Sequence, residues 1–491
     1  MNIDPVYAQS LEALEARVRH ELALLDHPKA AWVPPRTHSS GQPVFDILIV
    51  GGGQSGLGTL FALSREKVMN ILAVDRCPAG REGPWVTYAR MRQLRTHKDI
   101  TGPALGIPSL TPRAWYTAKY GEAAWDSLAR IPRTDWQEYL NWYREILDLP
   151  VWNETEVGPL AADEPDNPDS LIRVPLTATG PNGHTETVLA REVVLANGLE
   201  GCGVWHIPEF LTDNLPADRY AQANTEFDLV ALRAKRVIVI GANAGGFDSA
   251  AAALEAGATS VDLLVRRDEI PRVNAHKPID SVTWLKHFAD LDDATRWRLM
   301  VHVMRNNQPP PQDSFDRAYN MPGFRMREGA GVTAVRMADD EVIIETASGD
   351  TLHADFVIAA TGFINDFSLR VETSQIADKI ALWRDCYTPP DGEDWAPMGT
   401  YPYLGKSFEF KEKTPGSAPW LHHIHCFSLG TKPSLGLSAS SATAMRYGVP
   451  RLVHALTRCL FLGDAAHHAK AMLTFDEEDL VVGPKPDEAR R

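Results

Sequence analysis

The chain has 491 residues, enough for two or three domains of about 150 residues each. It is 44% apolar and 23% charged, a balance that allows a large buried core. Its formal net charge of −15 argues against a nucleic-acid binder, which needs a basic face to meet phosphates. Cys77, Cys202, Cys386, Cys426 and Cys459 are scattered and form no Cys-x-x-Cys pair. That pattern suits a reduced, intracellular protein and weakens the reading of a disulfide reductase. The N-terminus has mixed charge and no apolar export segment, and no apolar run approaches the ~20 residues that span a bilayer. A cytoplasmic location is the expectation.

Along the chain, Leu11, Leu14, Val18, Leu22 and Leu25 recur at helical spacing, which predicts an amphipathic helix over 5–25. A Pro- and Ser-rich arm follows over 30–43. The apolar run 45–50 reads as a parallel strand buried on both faces. It runs into GGGQSGLG, a helix over 55–66 and a second strand over 70–75, making a βαβ unit. The arrangement recurs as a strand over 236–240, GANAGG, a helix over 247–256 and a strand over 260–265. The two turns start at Gly51 and Gly241, 190 residues apart, which indicates duplication of a fold. Residues 279–330 read as mostly helical. A hairpin is predicted over 331–353, with turns at Asp339-Asp340 and Gly349-Asp350. A strand over 355–360 ends in Thr361-Gly362. A final helix is predicted over 440–460 with Ser438 as its N-cap, ahead of a charged tail.

Gly51-x-Gly53-x-x-Gly56 has the spacing of a dinucleotide fingerprint. The first glycine makes the turn, the second lets the backbone approach a pyrophosphate, and the third lets helix and strand pack closely. Asp75 follows 24 residues after Gly51, where an acid hydrogen-bonds a ribose hydroxyl. The plain alternative is a glycine-rich turn in an α/β domain without nucleotide. In the second unit the strand ends in Arg266-Arg267, which suits the 2′-phosphate of NADPH; the alternative is two solvated arginines. Asn243 replaces the middle glycine there, between Gly241 and Gly246, and its side chain is expected where the backbone approaches the pyrophosphate. Two such units in one chain imply hydride transfer from NADPH to a flavin, with FAD in the first.

The order GGGQSGLG, GPWVTYARMRQLRTHKDITGPALGIPSLT, VVLANG, GANAGG with LLVRR, and DFVIAATGF resembles the flavin monooxygenases with two dinucleotide folds. The likeness covers residues 45–460. It extends to N-hydroxylating and Baeyer–Villiger enzymes and to bacterial oxidoreductases similar to FAD-dependent urate hydroxylases. The resemblance implies an α/β fold of two Rossmann-like domains, the NADPH domain inserted into the FAD domain. The expected parts are an N-terminal helix and arm (1–44), a first FAD part (45–210), an NADPH domain with a helical insertion (211–350), and a second FAD part with a C-terminal helix (351–491).

The same resemblance implies residue roles. Gly51, Gly53, Gln54, Ser55 and Gly56 would hold the FAD pyrophosphate, with Asp75 on the ribose and Arg76 beside it. Trp85 would lie beside the flavin, or else in the core. Gln93 would contact flavin or substrate. Lys98, the candidate catalytic residue, would hold a substrate carboxylate or cofactor phosphate, or else stand in solvent. Val157 would meet adenine through its backbone. Thr361, Gly362, Gly436 and Ser438 would complete the flavin site, the last two at a helix N-terminus whose dipole faces the pyrimidine edge. Gly241, Asn243, Ala244, Gly246, Arg266 and Arg267 would bind NADPH. The FxGxxxHxxxF/W pattern is missing; the comparable stretch 219–223 has no histidine, which counts against a Baeyer–Villiger or microsomal-type enzyme. His422, His423, His425, His467 and His468 read as surface or core-edge residues, so no metal is expected. The implied reaction is NADPH reduction of FAD, addition of O2 at the flavin C4a carbon, and transfer of one oxygen to a small molecule. An oxidase or reductase releasing H2O2, and a flavin-binding protein without turnover, stay open. So do substrate identity and homo-oligomerisation.

Overall fold

The computed structural model describes residues 10–179, 183–439, 441–480 and 482–483. The start of the predicted first helix, at 5–9, and position 440 of the final helix lie outside them. No helix among the described residues is long and apolar enough to cross a membrane.

Two larger sheets organise the chain, the first of them mixed. The first has nine strands, and its backbone runs Val151–Trp152, Ile71–Val74, Pro43–Val50, Thr185–Leu195, Ile172–Ala178, Thr155–Val157. Strand Pro43–Val50 is flanked by parallel neighbours on both sides, which is why its sequence is apolar apart from Asp46. Thr185–Leu195 serves two partners on one side. Its first half pairs antiparallel with Ile172–Ala178, and its C-terminal end takes Ile424–Cys426 in parallel. The first sheet is therefore finished by a strand from near the end of the chain.

The second sheet is wholly parallel, in the order Tyr220–Gln222, Phe356–Ala359, Arg236–Ile240, Ser260–Leu264, Phe324–Arg327. The strand Phe356–Ala359, part of the segment 351–491 in the sequence reading, sits second in this sheet. A three-stranded meander, Val332–Ala338, Glu341–Thr346 and Thr351–Ala354, comes before the sheet's last strand in chain order, where the sequence predicts a hairpin with two turns. Asp339 and Asp340 take φ of 49° and 65° at its first turn, the left-handed region that Asp tolerates better than most residues.

Gly203–Trp205 and Phe363–Asn365 pair antiparallel. They mark where the chain leaves the first unit and where it returns. A Cβ on Gly203 would overlap the Ile364 carbonyl oxygen, so only glycine lets the two passages lie this close.

The final helix differs from its prediction. It spans Met445–Gly463, and Ser438 lies in a turn before it rather than at its cap. Ser438 Oγ donates to the Leu435 carbonyl at 2.9 Å, and Gly436 holds φ at 68°. A Cβ on Gly448 would overlap the Ser438 carbonyl oxygen, so the helix crosses over that turn instead of growing out of it. A further helix, Ala465–Leu473, comes next.

Candidate functional site

The first fingerprint turn joins strand Pro43–Val50 to helix Gln54–Arg65. A Cβ on Gly51 would overlap the Ala196 carbonyl oxygen, and one on Gly56 would overlap the Gly51 carbonyl oxygen. These two glycines are set by protein packing. Gly53 differs: its φ is −75°, and a Cβ there would meet nothing within 4 Å. The helix has no side-chain cap, so its first N–H groups face that open space. Gln54 Oε1 is buried and lacks a hydrogen-bond partner. Open backbone, free donors and an orphaned amide fit a dinucleotide pyrophosphate, the anion that a helix N-terminus favours.

Asp75 closes the rim. Its carboxylate accepts from the Gly52 N–H and the Cys77 N–H, each at 2.8 Å, so it also fixes the turn. Val157 lies in the strand that follows, where the Thr155 N–H donates to the Asp75 carbonyl at 2.9 Å. Arg76 points outward, with Glu200 3.7 Å from its guanidinium. Glu82, not singled out in the sequence, is buried beneath this rim. It pairs with Arg144 at 3.0 Å and accepts from Asn153 at 2.6 Å.

The second turn is built differently. Asn243 has φ −78°, an extended backbone and not a left-handed one. Its side chain folds back, Oδ1 accepting from the Gly246 N–H at 3.0 Å and Nδ2 donating to the Ala360 carbonyl at 2.8 Å. The sequence reading expected that side chain where the backbone approaches the pyrophosphate; in the structure it lies at the helix N-terminus, bonded to the Gly246 N–H. It caps the helix Ala244–Glu255 and takes one donor out of use. Gly241 and Gly246 repeat the packing of the first turn, against Ala360 and Gly241. Arg266 is exposed and has no hydrogen-bond partner among the described residues, while Arg267 donates to the Arg305 carbonyl at 2.7 Å.

Other candidates take protein partners. Lys98 Nζ donates to the carbonyls of Trp125 and Asp126, at 2.8 and 3.3 Å, closing a short helix C-terminus. Gln93 Nε2 donates to Asp313 of the second unit at 2.9 Å. Trp85 packs edge-on to Trp136, with ring centroids 6.2 Å apart. Thr361 Oγ1 donates to the His206 carbonyl, and the Gly362 carbonyl accepts from the His206 N–H at 2.9 Å. Gly436 packs on the Phe288 ring.

Two buried clusters complete the picture. His423 Nδ1 and His425 Nε2 lie 2.9 and 3.0 Å from the two oxygens of buried Glu192. Among the described residues no group of His, Cys, Asp and Glu has the geometry of a metal site. Cysteines scattered in sequence meet in space: Cys202 and Cys426 bring their Sγ atoms to 3.8 Å, both free thiols. Both are fully buried, so no disulfide substrate reaches them in this conformation.

Two side chains that the sequence did not single out, one from each unit, have shifted pKa values. His276 sits on the loop after the second unit's strand Ser260–Leu264. Lys432 follows the first unit's strand Ile424–Cys426. His276 Nδ1 is buried without a partner. Burial pushes the Lys432 ammonium down to about 8; burial, and then the Lys432 charge, push His276 down to about 4. The loop carrying His276 also walls a cavity of about 580 Å3 together with Trp284, Met300 and Val303.

Comparison with known proteins gives the family and the fold. The family described as pyridine nucleotide-disulphide oxidoreductase matches residues 45–379. An FAD-dependent urate hydroxylase of Xanthomonas campestris pv. campestris is 40% identical over 481 residues, covering 98% of this chain and 99% of that protein. The ornithine hydroxylase of Pseudomonas aeruginosa, in its reduced form, superposes with a TM-score of 0.64 at 15% identity, over 85% of this chain and 100% of the other. The Kutzneria ornithine N-hydroxylase gives 0.62 at 17% identity, over 85% and 99%. At such identities the solved structures speak for the fold: two dinucleotide units, one carried within the other. The chain belongs to the pyridine nucleotide-disulphide oxidoreductase family and is a homologue of an FAD-dependent urate hydroxylase.

Proposed function

We propose that this chain is an FAD-dependent monooxygenase that takes hydride from NADPH and places one oxygen atom of O2 on an oxopurine such as urate. The observation that carries the reading is the uncapped turn at Gly53, with open space and unpaired helix donors in front of it. Identity of 40% along 98% of the chain to a urate hydroxylase supports the substrate class.

Gly51, Gly53, Gln54, Ser55 and Gly56 would hold the FAD pyrophosphate, with Asp75 on the ribose and Val157 beside the adenine. Ala244 and the remaining free N–H groups of the second turn would hold the NADPH pyrophosphate, with Arg266 on the 2′-phosphate. The bound flavin supplies the electron transfer and oxygen chemistry. The chain supplies position and dryness. Trp85 packs on buried Trp136, and the apolar group of Phe288, Trp297, Met300 and Leu437 packs the insertion onto the C-terminal segment. A water-poor site keeps a reactive oxygen species for substrate.

The test begins with the purified yellow protein, mixed without oxygen with NADPH and separately with NADH. Faster loss of flavin absorbance with NADPH is expected. Oxygen labelled with 18O and urate should then give a hydroxylated product carrying one labelled atom. If neither nucleotide bleaches the flavin, the second unit is not a hydride-donor site. If NADPH is oxidised and only peroxide appears, the oxygen-transfer reading fails.

A further inference from the structure

Cys202 and Cys426 are 224 residues apart in the chain and meet in the core of the first unit. Both side chains are fully buried, and their Sγ atoms lie 3.8 Å apart. Ser428 Oγ stands 3.3 Å from each sulfur. A Cβ on Gly430 would overlap Cys202 Sγ, so only glycine lets the backbone close over the pair. The other three cysteines are exposed or half-buried.

The place of the pair is as particular as its geometry. Cys202 precedes the strand Gly203–Trp205, by which the chain leaves the first unit. Its carbonyl accepts from the Asp366 N–H of the returning passage at 2.8 Å. Cys426 ends the strand that completes the first sheet. A little further on, the Ser434 carbonyl accepts from Arg296 of the insertion at 2.9 Å. The two passages to the second unit and the support of the insertion therefore converge on these sulfurs. Thiols that only fill space behave as small apolar groups and need no shared hydroxyl.

A disulfide bond is about 2.05 Å long, so closure asks each sulfur to move by about 1 Å. The hydrogen bond between the sulfurs holds Cys426 below the ordinary thiol range, while that bond and burial push Cys202 above it. The sulfur with more thiolate character is the one an oxidant meets first.

We infer that Cys202 and Cys426 form a redox modification site, where hydrogen peroxide makes a disulfide that pins the passages between the units and slows hydride delivery. The Cys426 thiolate attacks one peroxide oxygen and breaks the O–O bond. The departing hydroxide takes the thiol proton as water and leaves a sulfenic acid. The Cys202 sulfur then displaces hydroxide from the Cys426 sulfur, and its own proton completes a second water. Two thiols are oxidised to one disulfide, and one peroxide is reduced to two waters. Peroxide is small and neutral enough to enter a core that no disulfide substrate reaches. Its source, a reduced flavin that meets O2 without passing oxygen on, rests on the reaction proposed above; the chemistry of the pair does not.

The experiment uses the FAD-loaded full chain, first reduced with dithiothreitol and freed of it. Wild type, Cys202→Ala and Cys386→Ser are treated with hydrogen peroxide, cleared with catalase, and divided. One part is denatured, alkylated and digested; mass spectrometry should find a Cys202–Cys426 linked peptide in wild type and Cys386→Ser, lost again after dithiothreitol. A second part is mixed with NADPH without oxygen. Flavin bleaching should be at least tenfold slower in peroxide-treated wild type, recover with dithiothreitol, and stay fast in Cys202→Ala. A third part goes to hydrogen exchange, which should slow over 203–205 and 363–366 in wild type alone of the pair wild type and Cys202→Ala. Absence of the linked peptide overturns the site. A linked peptide with unchanged bleaching and exchange overturns its control of the passages. Equal slowing in Cys202→Ala places the loss at another group and overturns it too. If NADPH bleaches neither treated nor untreated protein, the coenzyme reading falls instead, and the linked peptide with slowed exchange still decides the site.

Discussion

Gly53 and Gly56 stand three residues apart and are glycine for different reasons. Gly56 touches the Gly51 carbonyl inside the protein, whereas Gly53 faces open space at a φ any residue accepts. Gly56→Ala should therefore overpack the turn at a cost of about 1–3 kcal/mol and lower the Tm of flavin-free protein. Gly53→Ala should leave that Tm unchanged and still lower the FAD content of purified protein. Absorbance ratios and thermal melts of both variants check this; equal melting losses would show that Gly53 too is set by packing. At this scale the sequence was informative where a role follows from backbone geometry, as at Gly51, Gly56 and Asp75. It was silent where a role depends on a partner far along the chain. Nothing near Lys98 in sequence shows that its ammonium closes a helix at Trp125.

At the scale of elements, the strand Ile424–Cys426 is held to Thr185–Leu195 by ions as well as by its ladder. Each ring nitrogen of His423 and His425 faces an acceptor: Glu192 on one side, the carbonyl of Pro168 or Ser407 on the other. Rings with acceptors on both nitrogens carry both protons. Burial alone lowers their pKa values, but the Glu192 carboxylate outweighs it and raises both. Burial works against ionised Glu192 too, and the two imidazolium donors bring it down to about 2. A raised histidine stabilises fully below its unfolded value near 6.5 and stops doing so as pH climbs through the folded value. A lowered glutamate stabilises above its unfolded value near 4.5 and stops as pH falls towards 2. Stability from this cluster should thus fall on the alkaline side of neutrality and again in strong acid. Glu192→Gln should cost about 3–5 kcal/mol and flatten the alkaline fall, read from urea melts between pH 6 and 9. A wild-type curve that rises with pH across that range would count against the charged rings. The strands were legible from their apolar runs; the late start of the last helix was not. The serines and alanines ahead of Met445 give no stop signal, and only the crossing of Gly448 over Ser438 shows why the chain turns over 436–438.

For the whole molecule, the stretch 90–95 matters in a way its sequence did not suggest. Arg92 pairs with Glu255 at 2.7 Å, Arg95 with Asp248 at 3.2 Å, and Gln93 donates to Asp313. Arg317 joins Asp248 and Glu255 from the second unit's own side. Asp248 is almost fully buried, so it holds the seam while Arg92 lies in solvent and adds little. Asp248→Ala should loosen the seam: faster hydrogen exchange over 90–95 and 244–250, with exchange in Pro43–Val50 unchanged. Equal protection in variant and wild type would show that the seam does not depend on this carboxylate. The duplicated fold was readable in advance because each unit announces itself by a local strand, turn and helix. The seam was not, because it joins residues 150 or more positions apart.

The strand that completes the first sheet also sets an order of birth. All five strands of the second sheet lie between Tyr220 and Phe356–Ala359, so that unit can close soon after it leaves the ribosome. The first sheet cannot. The end of Thr185–Leu195 waits, its ladder groups bare, until Ile424–Cys426 is made. At about 5–20 residues per second that delay is roughly 10–50 s. The unit encoded first is finished last, and a nascent chain that stalls before residue 424 carries an open sheet edge, the kind of surface that chaperones shield and aggregates recruit.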